Sequence, residues 1–278
     1  MLKVAAGSKV AFQGEPGAFS HHAVRKIFGN GIETVPCFVF DDVFRAVARS
    51  KAEFAVIPIE NSLAGSIHQN FDLLARHSLD VIAETSLRVE HSLIVHPGAS
   101  LRQIRQIYSH PAAMEQCKRL MGRLRSIEKV SFYDTAGSVK MLKEKELKNA
   151  AAVASERAAK LYKMKILARN IADNPENYTR FFVLSKEDDP ITGKDKTSII
   201  FAAPHKPGSL YNALGEFAKR GINLMRIESR PTKQKPWEYN FYLDFEGHRS
   251  EPRCAEVIEA LREFAVFVKI LGSYPKAS

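Results

Sequence analysis

At the start of the stretch Asn177-Tyr178-Thr179-Arg180-Phe181-Phe182-Val183-Leu184-Ser185 three residues that could do chemistry sit side by side: the hydroxyl of Thr179, the guanidinium of Arg180 and the aromatic ring of Phe181. From Thr179 onward the aromatic and β-branched residues predict a strand, and the turn segment 174–177 precedes it. A buried strand has no structural need for Thr-Arg at its mouth, whereas a site for a small anion does. The same residues also fit an ordinary strand that begins with a solvated polar pair, so the elements around them have to decide.

Those elements repeat one plan. Lys9–Gln13 is a short apolar strand, then Gly14-Glu15-Pro16-Gly17, then a helical pattern from Ala18 to Phe28, an order that points free backbone N–H groups at an anion. Phe54–Ile59 runs into Glu60-Asn61-Ser62, and Leu63, Ile67, Phe71 and Leu74 follow at helical spacing. The strand at 104–108 leads to Ser109-His110-Pro111, where Ser109 is expected to cap the next helix and Pro111 suits its first turn. Lys129–Tyr133 leads to the capping pair Asp134-Thr135, and Ala151–Ala154 to Ser155-Glu156. In a parallel or mixed α/β sheet such caps gather at the carboxyl ends of the strands, where ligands bind. Helix N-termini collected there suit carboxylates.

Between these units, 80–97 alternates for longer than one ordinary strand, which predicts a crossover from one lobe to another. The segment 165–180 reads as the return, with a strand at 165–171. Two α/β lobes joined by two crossings form a cleft with Thr179 at its edge, the architecture of a two-lobed, periplasmic-binding-protein-like domain. The polar segment Glu187–Lys196 reads as a linker. Beyond it, strands near 197–203, 223–228, 238–245 and 266–271 alternate with helices opening at Gly208 and at Arg253, the ferredoxin-like βαββαβ order. The expected domains are 8–186 and 197–274. A free sheet face and edge in the second make self-association expected.

Bulk properties exclude several classes. The 278 residues are 45% hydrophobic and 26% charged, with three widely spaced cysteines (Cys37, Cys117, Cys254) that lack metal-ligand spacing. They read as reduced thiols of a cytoplasmic protein. No signal peptide or membrane-spanning run is expected. The net charge of +10 comes from basic residues mixed with acids, and no nucleic-acid-binding signature accompanies it. A mild positive field that attracts a small acidic substrate accounts for it.

Gly14-Glu15-Pro16-Gly17-Ala18-Phe19-Ser20, Ile57-Pro58-Ile59-Glu60-Asn61-Ser62, Tyr108-Ser109-His110-Pro111 with Gln116-Cys117, and Thr179-Arg180-Phe181, followed by Gly208-Ser209-Leu210 and Glu228-Ser229-Arg230-Pro231, occur in this order across nearly the whole chain. In this combination the sequence resembles the prephenate dehydratases that carry a C-terminal ACT regulatory domain. The resemblance implies conversion of prephenate to phenylpyruvate, carbon dioxide and water, with feedback control by L-phenylalanine. It implies catalytic roles for Thr179, Asn61, Ser109 and Gln116, and a substrate-binding set of Glu60, Ser62, Thr135, Arg180 and Phe181. It places the phenylalanine site on Gly208, Leu210, Asn223, Glu228 and Ser229, and implies a homodimer or homotetramer formed through the ACT domains. Aromatisation drives the elimination, so no cofactor or metal is expected. Thr179 is too weak an acid to ionise near neutrality and would act by hydrogen-bonding the departing oxygen or relaying a proton. Arg180 could pair with a substrate carboxylate, or with Glu60 or another acid of the cleft wall.

Two departures stand out. Ser209 and Tyr211 replace residues common in the family's effector motif and would alter effector affinity, and Ala112 stands where a Gln is common. Arogenate dehydratase, a non-catalytic ligand-binding protein and an amino-acid sensor remain as alternatives.

Overall fold

The computed structural model describes residues 2, 4–187, 191–232 and 238–276; of the expected linker, 188–190 lie outside these. In chain order the first elements are β1 (Lys9–Gln13), α1 (Phe19–Phe28), β2 (Glu33–Cys37), α2 (Phe40–Ala48), β3 (Phe54–Asn61), β4 (Gly65–Ser66), α3 (His68–Arg76) and β5 (Asp80–Arg88). Then come β6 (Ser92–Val95), β7 (Gln106–Ser109), α4 (Pro111–Glu115), α5 (Lys118–Arg123), β8 (Glu128–Ser131), α6 (Thr135–Glu144), β9 (Ala150–Ala154), α7 (Glu156–Leu161), β10 (Lys165–Ala168) and β11 (Tyr178–Ser185). The last are β12 (Asp195–Ala202), α8 (Ser209–Lys219), β13 (Leu224–Pro231), β14 (Tyr239–Glu246), α9 (Pro252–Phe264) and β15 (Phe267–Pro275).

Among the described residues the strands form three sheets, ordered β2-β1-β3-β11-β5 with β4 beside β3, β10-β6-β9-β7-β8, and β13-β14-β12-β15. The expected crossover at 80–97 is two strands, β5 in the first sheet and β6 in the second. The return runs from β10 in the second sheet to β11 in the first. Each lobe is mixed: β1 runs parallel to β2 and β3, and β7 parallel to β8 and β9, whereas β6 is antiparallel to β9 and β10. This is the two-lobed α/β arrangement the sequence predicts, followed by the βαββαβ order.

Two local readings change. The helix expected from Leu63 begins at His68, five residues later. The side-chain oxygen Asn61 Oδ1 accepts from the backbone N–H groups of Leu63 and Ala64, an Asx turn. Gly65, at φ +79°, then reverses the chain so that β4 pairs back on β3. In addition, β2 and α2 are elements the motif-led reading passes over, although Val43, Phe44 and Val47 are wholly buried on one face of α2.

By compactness the chain divides into Met1–Asn70 with Thr85–Phe181, and Phe71–Glu84 with Phe182–Ser278. The first unit contains the second lobe's all-small strand β9, flanked by Ile94, Val139, Leu142 and Ala158 in its core. The second unit is built on Ile199, Phe201, Phe217, Leu243, Phe245 and Leu261, between the sheet and helices α8 and α9. It also takes in the end of α3 and the start of β5. There Arg226 lies 4.5 Å over the Phe71 ring, Arg230 pairs with Asp72 at 3.0 Å, and Tyr242 donates to the Phe71 carbonyl at 3.1 Å. Lys269 Nζ reaches the carbonyls of Leu74, Ala75 and His77 at the end of α3, at 2.7–3.2 Å, a favourable place for a cation. Lys196 and Glu84 form an ion pair of 2.6 Å whose side chains are 2% and 5% exposed.

Candidate active site

Within the first unit a cavity of about 410 Å³ opens at the carboxyl ends of the strands. Its polar wall includes Asn61, Gln116, Thr135 and Thr179. Its apolar wall includes Phe19, Pro58, Ile67, Val89 and Phe181. Residues from the first turns of α1, α4 and α6 border it, so three positive helix ends converge on one space. Ala18, the N-cap of α1, offers no side-chain cap, leaving orphan backbone donors in that turn.

Thr179 and Phe181 line the cavity, and Arg180 does not. The reason is the two-residue period of a strand, which sends alternate side chains to opposite faces. Arg180 Nη2 lies 3.2 Å from Glu60 Oε2, one of its expected partners. The pair thus occupies a wall outside the cavity, and neither residue is brought to the substrate space. Thr179 is 8% exposed, and its Oγ1 lies 3.0 Å from Asn61 Nδ2.

Two hydroxyls of the expected set are also consumed elsewhere. Ser109 is fully buried and donates to the Val153 carbonyl at 2.6 Å, so it fastens β7 to β9. It does not cap α4. Pro111 at the first helical position makes His110 the N-cap, and His110 Nδ1 accepts from the Ala112 N–H at 3.2 Å. Ser62 donates to the Glu176 carbonyl at 3.1 Å and accepts from the Tyr178 N–H at 2.9 Å, pinning the return crossing.

Three residues that the motifs did not single out belong to the site. Asn177, wholly buried, bridges Asn61 Nδ2 (2.6 Å) and Gln116 Oε1 (2.9 Å). Its parity with Thr179 and Phe181 was a usable signal, since positions 177, 179 and 181 share one face. His91, 2% exposed, lies 2.8 Å from Gln116 Oε1 and edge-on to Phe19. Burial lowers its pKa, against an opposing effect of the Gln116 hydrogen bond. Asp134 caps α6 through Gly137 N–H at 2.8 Å and borders the cavity. Burial raises its pKa, with the backbone donors opposing. His110 also lines the cavity; burial lowers its pKa and the nearby Asp134 raises it. The Cys117 thiol, buried behind α4, is pushed up to about 12 by burial and by Asp173, so it is no nucleophile at neutral pH.

In the second unit a smaller cavity of about 190 Å³ is bordered by Leu210, Ser209, Lys206 and Tyr239. Gly208, at φ +83°, is the N-cap that opens α8 beside it. Asn223, Glu228 and Ser229 are not part of its wall. Asn223 precedes β13 and accepts from the Glu246 N–H, whereas Glu228 and Ser229 sit in β13 opposite Tyr242 and Phe241, with the Glu228 carboxylate paired to Arg226.

The model of the prephenate dehydratase family matches residues 10–189, and that of the ACT domain matches 197–263. An Arabidopsis thaliana protein named arogenate dehydratase/prephenate dehydratase 2, chloroplastic, is 43% identical over 96% of this chain and 72% of its own length. The solved structure of the prephenate dehydratase of Arthrobacter aurescens in complex with L-Phe superimposes with a TM-score of 0.88 at 32% identity, covering 96% of this chain and 90% of that one. A structure described as GqqA, a novel type of quorum quenching acylase, gives 0.85 at 38% identity over 97% and 98% of the two chains. Strand-end cavity, motif order and these likenesses agree: the chain belongs to the prephenate dehydratase family and carries a C-terminal ACT domain.

Proposed function

We propose that the first domain (8–186) converts prephenate to phenylpyruvate, carbon dioxide and water in the cavity that holds Thr179, and that the second (197–274) makes the step sensitive to L-phenylalanine. The observation that carries the reading is the meeting of Thr179, Asn61 and Gln116 on one wall. Prephenate has two carboxylates, a ring hydroxyl and a cyclohexadiene that becomes aromatic when carbon dioxide and hydroxide leave. Helix N-termini suit the carboxylates, and the Phe19 and Phe181 side suits the ring. The Thr179 hydroxyl would donate to the departing oxygen.

Arogenate, the transaminated substrate, is the second reading, supported by the name of the plant relative. An acylase would need a nucleophile or an activated water. Among the described residues no Ser, Thr or Cys of the cavity wall is hydrogen-bonded to a histidine, which favours elimination over amide hydrolysis. For the effector, L-phenylalanine is the ligand of the Arthrobacter aurescens relative. Here Leu210 borders one cavity while Glu228 and Ser229 lie on the edge strand β13, beside exposed Met225 and Ile227. That separation supports a site completed between two copies, hence a homodimer or homotetramer formed through the ACT domains. Among the described residues no helix is long and apolar enough to cross a membrane. Three unpaired cysteines, two of them buried, support a cytoplasmic setting.

The test is one assay with two substrates: phenylpyruvate released from prephenate and phenylalanine from arogenate, each with and without added L-phenylalanine. Faster turnover of prephenate, lowered by phenylalanine, is the expected result. Turnover of neither substrate would sink the proposal.

A further inference from the structure

The polar wall holds a chain of side-chain hydrogen bonds whose directions are fixed by the backbone at one end. Asn61 Oδ1 accepts from the N–H groups of Leu63 (3.1 Å) and Ala64 (2.9 Å). Asn61 Nδ2 is therefore the donor, its two hydrogens serving Asn177 Oδ1 at 2.6 Å and, between them, Thr179 Oγ1 at 3.0 Å and the Tyr178 carbonyl at 3.1 Å. Asn177 must then present Nδ2 to Gln116 Oε1, 2.9 Å away. With that oxygen an acceptor, His91 Nε2, at 2.8 Å, has to carry the hydrogen. Reversing any single amide would set two donors or two acceptors face to face in a buried place, at a cost of about 1–3 kcal/mol.

The directions leave a donor free at each end. The Asn61 NH₂ group cannot accept from Thr179 Oγ1, so the Thr179 O–H can be given to the substrate. Gln116 has its oxygen engaged twice, so its NH₂ group remains for the cavity, which both residues line. We propose that Asn177 is a positioning residue of the reaction: it joins Asn61 of the first lobe to Gln116 of the second, turns the Thr179 O–H and the Gln116 N–H groups toward substrate oxygens as donors, and holds His91 as the neutral Nε2–H tautomer. Donors aligned in advance are what an elimination that expels hydroxide from a dianion requires. The role rests on reading this cavity as the active site. Apart from Thr179, its geometry stands on residues outside the recognised triplet 179–181.

Two measurements test it. In the unaltered protein, long-range ¹H–¹⁵N correlations of labelled histidine, assigned by comparison with His91→Asn, should find His91 in the Nε2–H form at neutral pH. An Nδ1–H or doubly protonated ring would overturn the proposal without reference to activity. Asn177→Asp keeps the side-chain shape but replaces the donating NH₂ by a second acceptor. It should lower kcat on the order of 10²-fold with little change in KM, and shift the His91 resonances. Asn177→Ala, checked for an intact melt, should lower kcat likewise. A folded variant with wild-type kcat overturns the proposal; if both variants misfold, the wild-type tautomer decides. Failure of the unaltered chain to turn over either substrate would sink the activity reading instead, and the tautomer measurement tells the two failures apart.

Discussion

At the scale of single residues, Thr179 supplies no conventional acid. Its hydroxyl is a donor whose oxygen is already engaged by Asn61. Thr179→Val, which keeps the shape and removes the hydroxyl, should lower kcat by about 10²–10⁴, while Thr179→Ser should keep most of it. Near-normal turnover by the Val variant would end that role. The imidazoles give a second expectation. His22 is held down to about 4, by burial first and then by Arg157, Lys26 and His21. A folded-state pKa below the unfolded value means that the unfolded chain binds the extra proton, so stability is unaffected above about pH 6.5 and falls as pH drops from there toward 4. Burial shifts His21, His91 and His110 in the same direction. Melting temperatures from pH 8 to 4 should fall below pH 6.5, and His22→Gln should flatten that fall; an unchanged profile would count against it. Much of the candidate site was legible in the motifs: Thr179, Asn61, Gln116, Thr135 and Phe181 do share one cavity. Illegible were the hydroxyls that the sheet itself consumes. Ser109 ends β7 as a good cap should, yet its hydroxyl donates to the neighbouring Val153 carbonyl, and no spacing within the chain announces that neighbour.

At the scale of elements, α3 and β5 repay attention because each belongs to both compact units along its length. Phe71 and Asp72 of α3 meet Arg226 and Arg230 of β13, the strand that carries Glu228 and Ser229. Asp72→Ala should therefore weaken the inhibition of turnover by phenylalanine more than it changes uninhibited turnover. A full inhibition curve for each protein checks this, and superimposable curves would refute it. Gly272 of β15 offers a sharper stability test. A Cβ there would lie 2.1 Å from the Val81 carbonyl oxygen of β5, backbone that cannot step aside. Gly272→Ala should cost about 3 kcal/mol or more by denaturant titration. The strands and helices themselves were readable from periodicity, including the two lobe crossings. The late start of α3 was not: Leu63 fits the helical spacing, but Asn61 and Gly65 turn the chain first, so local hydrogen bonding outweighs the apolar pattern. For α2, by contrast, the signal was present in Val43, Phe44 and Val47.

At the scale of the whole molecule, regulation requires that phenylalanine bind one global state better than another. Leu210→Ala and Glu228→Ala should each raise the phenylalanine concentration needed for half-inhibition; unchanged inhibition in both would remove the effector assignment. The order of the domains could be read from composition, since the polar stretch before β12 interrupts the apolar pattern. The grouping of Phe71–Glu84 with the C-terminal sheet could not, because it depends on partners more than a hundred residues away.

The buried pair of Lys196 and Glu84 has a consequence for heredity. A recombination event cutting at the polar stretch before β12 would deliver the regulatory sheet to a new host with Lys196 stranded in its interior and its carboxylate left behind. Breaking such a pair costs about 3–5 kcal/mol, and the carbonyls that receive Lys269 would be lost as well. A viable graft would need a host that already offers an acid and a helix end in the same places. On this packing, catalytic and regulatory halves are expected to be inherited together and to diverge together, and a working chimaera should import residues 71–84 along with the sheet.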